Sequence, residues 1–350
     1  MAALSAKRLA GNLLAWYDAN RREMPWRGHP DPYAVWVSEI MLQQTQVKTV
    51  LGYFDRFVAA LPTISALASA PQQQVLKLWE GLGYYTRARN LQKAAQVVVA
   101  RGGALPRDLA GWAELPGIGA YTAAAIVSIC YGIAAPVVDG NVIRVFARYL
   151  GWEDDFRKPQ SRIRLAAWLQ PHIGASQRPG DFNQAMMELG AILCSPRAPR
   201  CGDCPLQCGC AAKREGQQTE FPMRPTKKAM PVRQAVAVLI CDDAGRVLVT
   251  QRPAEGLLGG LWELPNREVE HAPAEPAAVR RMFAEAGLSV LRLTPRDNTY
   301  THVFSHFKLV WHVYEARLRA GGDTSRLRFT APDELPLTTL TRRVIEAIRI

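Results

Sequence analysis

The chain is 350 residues long, 48% hydrophobic, with a formal net charge of +12. That length makes two domains the first expectation and supplies enough apolar residue for sizeable cores, while the positive balance favours an acidic partner, nucleic acid before others. Seven cysteines, five of them within residues 194–210, in a chain with no signal-like start argue against a disulfide framework and for a metal centre in a reducing compartment.

Lys7 and Arg8 precede no apolar run; Leu9, Leu13, Trp16 and Tyr17 recur at helical spacing, so an ordinary amphipathic helix is expected there. Asp31-Pro32 reads as the N-cap and first residue of a helix carrying Val35, Trp36 and Ile40, with Glu39 among them. Gln43-Gln44-Thr45 reads as a break before a helix with Val47, Val50, Leu51, Phe54 and Phe57 on one face. A helix is expected from Gln74 to Glu80, then a loop, Gly81-Leu82-Gly83-Tyr84-Tyr85, and Arg87, Arg89 and Lys93 enter the next helix.

The stretch from Leu115 to Ala123 places Gly117 and Gly119 in a tight turn between two helical patterns. Glycine there permits positive φ and close backbone approach, and the helix start beyond it offers unpaired N–H groups to an anion such as phosphate. The most apolar run, Tyr121 to Val138, is broken by Gly132 and Pro136 and ended by Asp139, so a buried helix of about three turns is expected, not a membrane span. Asp139 then stands before another helix. A phosphate anchor and a carboxylate at fixed separation suit an enzyme working on a nucleic acid backbone; the same residues also read as a plain helical corner with an Asp N-cap.

No strand series occurs up to Cys210, so residues 1–212 read as an all-α domain. Residues 213–231, rich in Lys, Arg, Gln and Pro and containing Lys227-Lys228, read as a linker. From 232 to 350 the pattern is α+β: strands at Gln234–Cys241 and Arg246–Gln251 around Asp242-Asp243-Ala244-Gly245, a helix at Ala277–Ala286, strands near Leu288–Leu293, Thr299–Phe304 and Lys308–Leu318, and a closing helix from Leu340 to Ile348. Six, two and five residues separate Cys194, Cys201, Cys204 and Cys210. Four such thiolates can hold zinc or an iron–sulfur cluster, and spacing alone does not choose; Cys208 is the one left over.

The cysteine spacing, Leu115-Pro-Gly-Ile-Gly119 and Val138-Asp-Gly-Asn-Val142 together resemble the helix–hairpin–helix DNA glycosylases of the endonuclease III superfamily. Ser38-Glu-Ile-Met-Leu-Gln-Gln-Thr-Gln-Val47, Gly81-Leu-Gly-Tyr-Tyr85, Phe182-Asn-Gln-Ala-Met-Met-Glu-Leu-Gly190 and the appended β-rich domain narrow the resemblance to the MutY-type adenine glycosylases. The resemblance implies a [4Fe–4S] cluster on Cys194, Cys201, Cys204 and Cys210, within a loop at 194–210. It implies that Glu39 delivers a proton to adenine N7, that Asp139 is the second carboxylate, and that Tyr121 and Asn141 support Asp139 and the cationic intermediate. A lysine stands at the Tyr121 position in the bifunctional branch, so a phenol there implies a monofunctional glycosylase that leaves an abasic site. Trp26, Arg27 and Gln184 would line the pocket for the extruded base, although Trp26 reads equally as core. Gln44 and Thr45 would reach the lesion from the minor groove, Tyr84 would wedge beside it, Leu82 of the same loop would also meet the substrate, and Gly117 and Gly119 would meet DNA phosphate.

Gly259-Gly-Leu-Trp-Glu-Leu-Pro265 and Ala278–Gly287 resemble a MutT-like Nudix hydrolase. Arg281 and Ala284 stand where metal-holding glutamates are needed, leaving Glu285, so the fold is expected without its hydrolase chemistry. In the resembled family this domain reads 8-oxoguanine, through a loop matching Phe304-Ser305-His306. The implied substrate is double-stranded DNA with adenine opposite 8-oxoguanine or guanine, handled by a monomeric, cytoplasmic, bacterial enzyme with no membrane partner. Three alternatives are opposed by particular residues: a pyrimidine-specific glycosylase-lyase by Tyr121, a nucleotide hydrolase by Arg281 and Ala284, and a non-catalytic DNA-binding module by the pair Glu39 and Asp139.

Overall fold

The computed structural model describes residues 4–29, 31–223, 229–271, 275–285, 287–318 and 327–348; Lys227, Lys228 and Ala286 lie outside the described residues. Among those described, the first strand begins only at Val232. Before it run α1 (Ala6–Asn20), α2 (Pro32–Leu42), α3 (Val47–Ala60), α4 (Ile64–Ser69), α5 (Gln72–Leu78), α6 (Thr86–Ala100), α7 (Leu109–Ala113), α8 (Ala120–Tyr131), α9 (Gly140–Leu150), α10 (Pro159–Gly174), α11 (Pro179–Ile192) and α12 (Ala211–Glu215). Of the described helices, none is long and apolar enough to cross a membrane.

Three helices position the site. In α2 the Asp31 carboxylate accepts from Tyr33 N at 2.9 Å, and Pro32 supplies the first residue. Every residue from Tyr33 to Met41 is buried. A helix apolar on all sides belongs inside a core, and α2 packs against α3 and α8 with Trp36 edge-on to Trp112 at 5.4 Å. In the turn before α8, Leu115 and Ile118 are buried and pin the corner. Gly117 is left-handed, at φ 77°, whereas Gly119 is extended and caps α8. A Cβ built on Gly119 meets nothing within 4 Å, so that backbone faces open space. Gly132, left-handed at φ 68°, ends α8 where the break was expected. In α9 the Asp139 side chain caps the helix, accepting from Val142 N at 2.7 Å.

Helix α11 packs on α1, α8 and α9. It approaches α9 so closely that a Cβ on Gly190 would lie 2.6 Å from Asn141 Cβ. The helical packing continues past residue 213, where a linker was expected: Phe221 is buried and its carbonyl accepts from Arg148 Nε at 3.2 Å.

The C-terminal region has a sheet in the order β4 (Asn266–Val269), β1 (Val232–Ile240), β6 (Lys308–Leu318), β5 (Val290–Val303), and a second sheet in the order β3 (Trp262–Glu263), β2 (Val247–Gln251), β7 (Leu327–Thr330). Strand β1 is parallel to β6; the other pairings are antiparallel. Alternation along β1 splits the core in two. Ala235, Ala237 and Leu239 join a cluster with Leu340 and Val344 of α14 (Thr339–Glu346), and Val236, Val238 and Ile240 join one with Val279 and Phe283 of α13 (Pro276–Glu285). A strand buried on both faces reads as a continuous apolar run.

Several expectations need correction. The two strands expected at 288–293 and 299–304 are one strand, β5, whose register shifts between Pro295 and Thr299; a bulge accommodates a proline that cannot donate to the ladder. Strands β3, β4 and β7, each of two to four residues, carry too short a pattern to be expected. The helix expected at 74–80 is α5, at Gln72–Leu78. Contacts divide the chain into two compact units, and Ser69–Gln92 belongs with the β-rich unit, not with the surrounding helical sequence.

The Gly190 contact yields a direct check. Gly190→Ala places a methyl against Asn141 and should lower stability by about 1–3 kcal/mol, the scale of overpacking. Chemical denaturation with an unshifted midpoint would contradict this close approach.

Candidate active site and cysteine pocket

A cavity of about 150 Å³ opens within the helical unit, lined by Glu39, Tyr121, Asp139, Asn141, Trp26, Arg27, Gln184 and Thr45 among others. Eight residues singled out from sequence thus share one wall-to-wall site. Glu39 is 4% exposed, because the apolar faces of α2 leave its carboxyl nowhere else to go. The Tyr121 hydroxyl donates to Glu39 Oε2 at 3.1 Å and lies 3.1 Å from Met187 Sδ.

Burial pushes the Glu39 carboxyl up to about 7; the Tyr121 hydrogen bond pulls it down, the Asp139 charge pushes it up and the Arg27 cation pulls it down. Burial also raises Asp139, but three hydrogen bonds, from Val142 N, the Asn141 side chain and Asn141 N, favour its charged form. Asn141 Nδ2 donates to Asp139 Oδ2 at 3.1 Å. Burial and the two neighbouring carboxylates hold Tyr121 well above the ordinary phenol range, so it remains a neutral donor. Two carboxyls in unlike surroundings divide the roles of acid and anion.

The opposite wall is a charged network that the sequence reading did not anticipate. Arg27 Nε donates to Gln184 Oε1 at 3.1 Å, and its NH2 to Glu188 Oε2 at 3.2 Å. Arg22 grips the same carboxylate through Nε at 2.6 Å, NH2 at 3.0 Å and its backbone N at 3.1 Å. Glu188 lies one helical turn after Gln184 on the buried face of α11; a carboxylate at that place is the only sequence signal of the network. Trp26 is both core and wall: it is buried, edge-on to Phe54 at 5.2 Å, and lines the cavity.

From Asp139, α9 leads to the cysteines. Arg144 NH2 donates to Asn141 Oδ1 at 2.8 Å and Gly190 O at 2.7 Å, and its Nε to Cys194 O at 2.9 Å. One turn on, the buried Arg148 donates to Cys194 O, Ser195 O and Pro196 O, with NH1 3.3 Å from Cys194 Sγ. Cys194, Cys201, Cys204 and Cys210 line one pocket with Arg148 and Lys213, and the exposed Cys208 is not part of it. Burial pushes the Cys204 thiol up to about 12 and raises Cys210 as well. Four half-buried sulfurs around one pocket, with Arg148 and Lys213 beside them, are a donor set suited to a thiolate-bound metal centre, whose charge would drive off the protons. Among the described residues no group of three or more His, Cys, Asp or Glu converges as a single-ion site.

Gln44, left-handed at φ 56°, lines an open groove at the cavity mouth with Thr45, Lys48 and Arg144. Gly117 and Gly119 are exposed at their turn. In the β-rich unit, Leu82 is buried in its loop, while Tyr84 beside it is 47% exposed. Phe304 N donates to Phe307 O at 2.9 Å, which leaves Ser305 and His306 as the exposed tip between β5 and β6. Tyr84 Oη lies 3.1 Å from Ser305 Oγ. On α13, Arg280, Arg281 and Glu285 are exposed.

Residues 37–171 match the model of the HhH-GPD superfamily base excision DNA repair proteins, and residues 235–347 match that of the NUDIX domain. Adenine DNA glycosylase of Rattus norvegicus is 37% identical, over 88% of this chain and 70% of its own length. That of Homo sapiens is 36% identical over 87% of the chain, which spans 66% of the human protein. That of Schizosaccharomyces pombe is 32% identical, over 89% of the chain and 82% of its length. A thermostable thymine-DNA glycosylase structure superposes with a TM-score of 0.53 at 29% identity, over 60% of this chain and 97% of that one. An endonuclease III trapped on DNA superposes at 0.52 and 23% identity, over 61% and 99%, a likeness of fold. With these relatives matching across both regions, the chain belongs to the adenine DNA glycosylase family.

Proposed function

We propose that the chain excises adenine mispaired with 8-oxoguanine, and with guanine as a second substrate, from double-stranded DNA, by hydrolysing the N-glycosidic bond and leaving an abasic site. One observation carries the reading: a carboxyl buried to a pKa of about 7 faces an ionisable partner across a cavity walled by Trp26, Arg27 and Gln184.

Adenine unstacks from the duplex, at a cost of roughly a few kcal/mol, and enters this cavity. Glu39, protonated for a large share of the time near neutral pH, gives its proton to N7. The C1′–N9 bond then breaks with its electron pair on the base, and the sugar becomes an oxocarbenium ion. The Asp139 carboxylate, held by Val142 N and Asn141, stabilises that cation. Water adds to C1′ and returns a proton to Glu39, so one water is consumed per base released. The Tyr121 phenol orients Glu39 and has no amine with which to attack the sugar, so the strand stays intact. Phosphates meet Gly117, Gly119 and the helix start beyond them. Ser305, His306, Gln44 and Thr45 read the opposite base, and the enzyme acts as a monomer.

The four cysteines fit a [4Fe–4S] cluster, which when bound would cross-link residues 194–210 to one another beside α9. Arg148 and Arg144 carry that order toward Asn141 and Asp139.

Duplexes with 8-oxoguanine or guanine opposite A, C, G or T should release adenine alone; release of a pyrimidine would overturn the assignment. Glu39→Gln should slow release by about a hundred- to ten-thousand-fold while retaining DNA binding, because the same group serves both proton transfers.

The raised carboxyl also predicts a pH signature. Between pH 4.5 and about 7 the folded state keeps a proton the unfolded chain has lost, so stability falls across that window and is level above it. Glu39→Gln should remove this slope, gaining up to about 3 kcal/mol over wild type at pH 8 and nothing at pH 4. Parallel denaturation curves at both pH values would contradict the burial cost.

For the cysteines, purified protein should hold about four irons, as the cluster type requires. Cys208→Ser should keep them, and Cys201→Ser should lose iron and DNA affinity together. A single tightly bound zinc in wild type would replace the cluster by a zinc site.

A further inference from the structure

Ser69–Gln92 packs as part of the β-rich unit, and named bonds hold it there. Gln73 donates through Nε2 to Gly260 O at 3.1 Å and accepts from Trp262 Nε1 at 3.0 Å. Arg89 NH1 donates to Gly259 O at 2.7 Å. A Cβ on Gly260 would sit 3.1 Å from Leu76 Cδ1, so this turn lies hard against α5. Nearest the loop, Glu80 collects three donors: Arg342 Nε at 2.6 Å, Leu337 N at 3.3 Å and Lys77 Nζ at 2.8 Å. Its side chain is only 11% exposed, and Arg342 is braced in turn by Asp333 at 3.3 Å and Pro332 O at 3.1 Å.

Four residues beyond Glu80 stands Tyr84, left-handed at φ 47°. A bulky residue keeps that backbone only where its surroundings over-determine it. Here they do. Trp79 Nε1 and Arg87 NH2 both donate to Gly83 O, at 3.2 and 3.1 Å, and Gly81 N donates to Tyr85 Oη at 3.0 Å. Leu82 and Tyr85 are buried beneath, leaving the Tyr84 ring outward with its hydroxyl against Ser305.

We propose that Glu80 and Arg342 form a positioning pin that fixes the Tyr84 loop relative to the Ser305–His306 tip, so that wedge and reader meet the base opposite adenine as one rigid element and set the preference for 8-oxoguanine over guanine. The inference rests on the excision reading above. It makes the second domain the carrier of both elements, although Tyr84 lies far from that domain in sequence.

The test uses the full chain as Glu80→Gln, Arg342→Met and the double variant, with single-turnover adenine release and affinity on duplexes pairing A with 8-oxoguanine or with G. Each single variant should lower the preference for 8-oxoguanine by about three- to twentyfold, with release opposite G unchanged, and the double should do no worse than the stronger single. Amide exchange should quicken at residues 81–85 and stay unchanged at 33–41. The pin is overturned if the preference survives in both singles, if rates fall equally on the two duplexes, or if the two losses multiply. Should wild type release adenine from neither duplex, the excision reading falls first, and unchanged exchange at 81–85 in Arg342→Met then overturns the pin as well.

Discussion

Everything at the site depends on keeping a carboxyl out of water. Helix α2 is apolar around its whole circumference, and Glu39 rides in it with 4% of its surface exposed. The cost of burying a charge there makes the group an acid at neutral pH, where an exposed glutamate would be a base. The Tyr121 phenol, itself held neutral, moderates the shift without cancelling it. Asp139 is half-buried, and its place at the start of α9 gives it N–H donors that α2 does not offer Glu39. Helix interior and helix start thus give two chemically similar groups unlike surroundings, one pushed toward its protonated form by burial and one whose charged form is hydrogen-bonded.

That separation is only as good as the placement of α9, and α9 is held from both ends. Gly190 permits α11 to touch Asn141 directly, and Arg144 bonds Asn141, Gly190 and Cys194 in one span. Arg148 then spreads its guanidinium over the carbonyls of Cys194, Ser195 and Pro196. A buried arginine satisfied by carbonyls is costly to remove, because Ser195 O and Phe221 O would lose the donor it gives them. The cysteine loop therefore bears on Asp139 through named bonds, whatever its own chemistry.

Much of this was legible in sequence, and the pattern of what was not is informative. Asp31 and Asp139 as caps, Gly117 in its turn and Gly132 at the end of α8 are local signals, and each stands where it was expected. The burial of Glu39 follows from its apolar neighbours. The Arg22–Glu188–Arg27 network joins residues more than 150 positions apart, and no local pattern encodes such a meeting. The same holds for Glu80 and Arg342, one of the pairs that tie Ser69–Gln92 to the β-rich unit. Leu82 illustrates a subtler limit: the sequence marks residues 81–85 as a loop but does not say that Leu82 turns in while the left-handed Tyr84 turns out.

The most direct measurement is the titration of Glu39 itself. Carboxyl infrared difference spectra between wild type and Glu39→Gln, recorded from pH 4 to 9, report the protonated C=O stretch of this one group. The structure predicts a band that persists at pH 6 and fades with a midpoint near the value of about 7 set by burial. A midpoint near the ordinary glutamate value of about 4.3 would mean that water reaches the carboxyl, and would contradict its role as the acid.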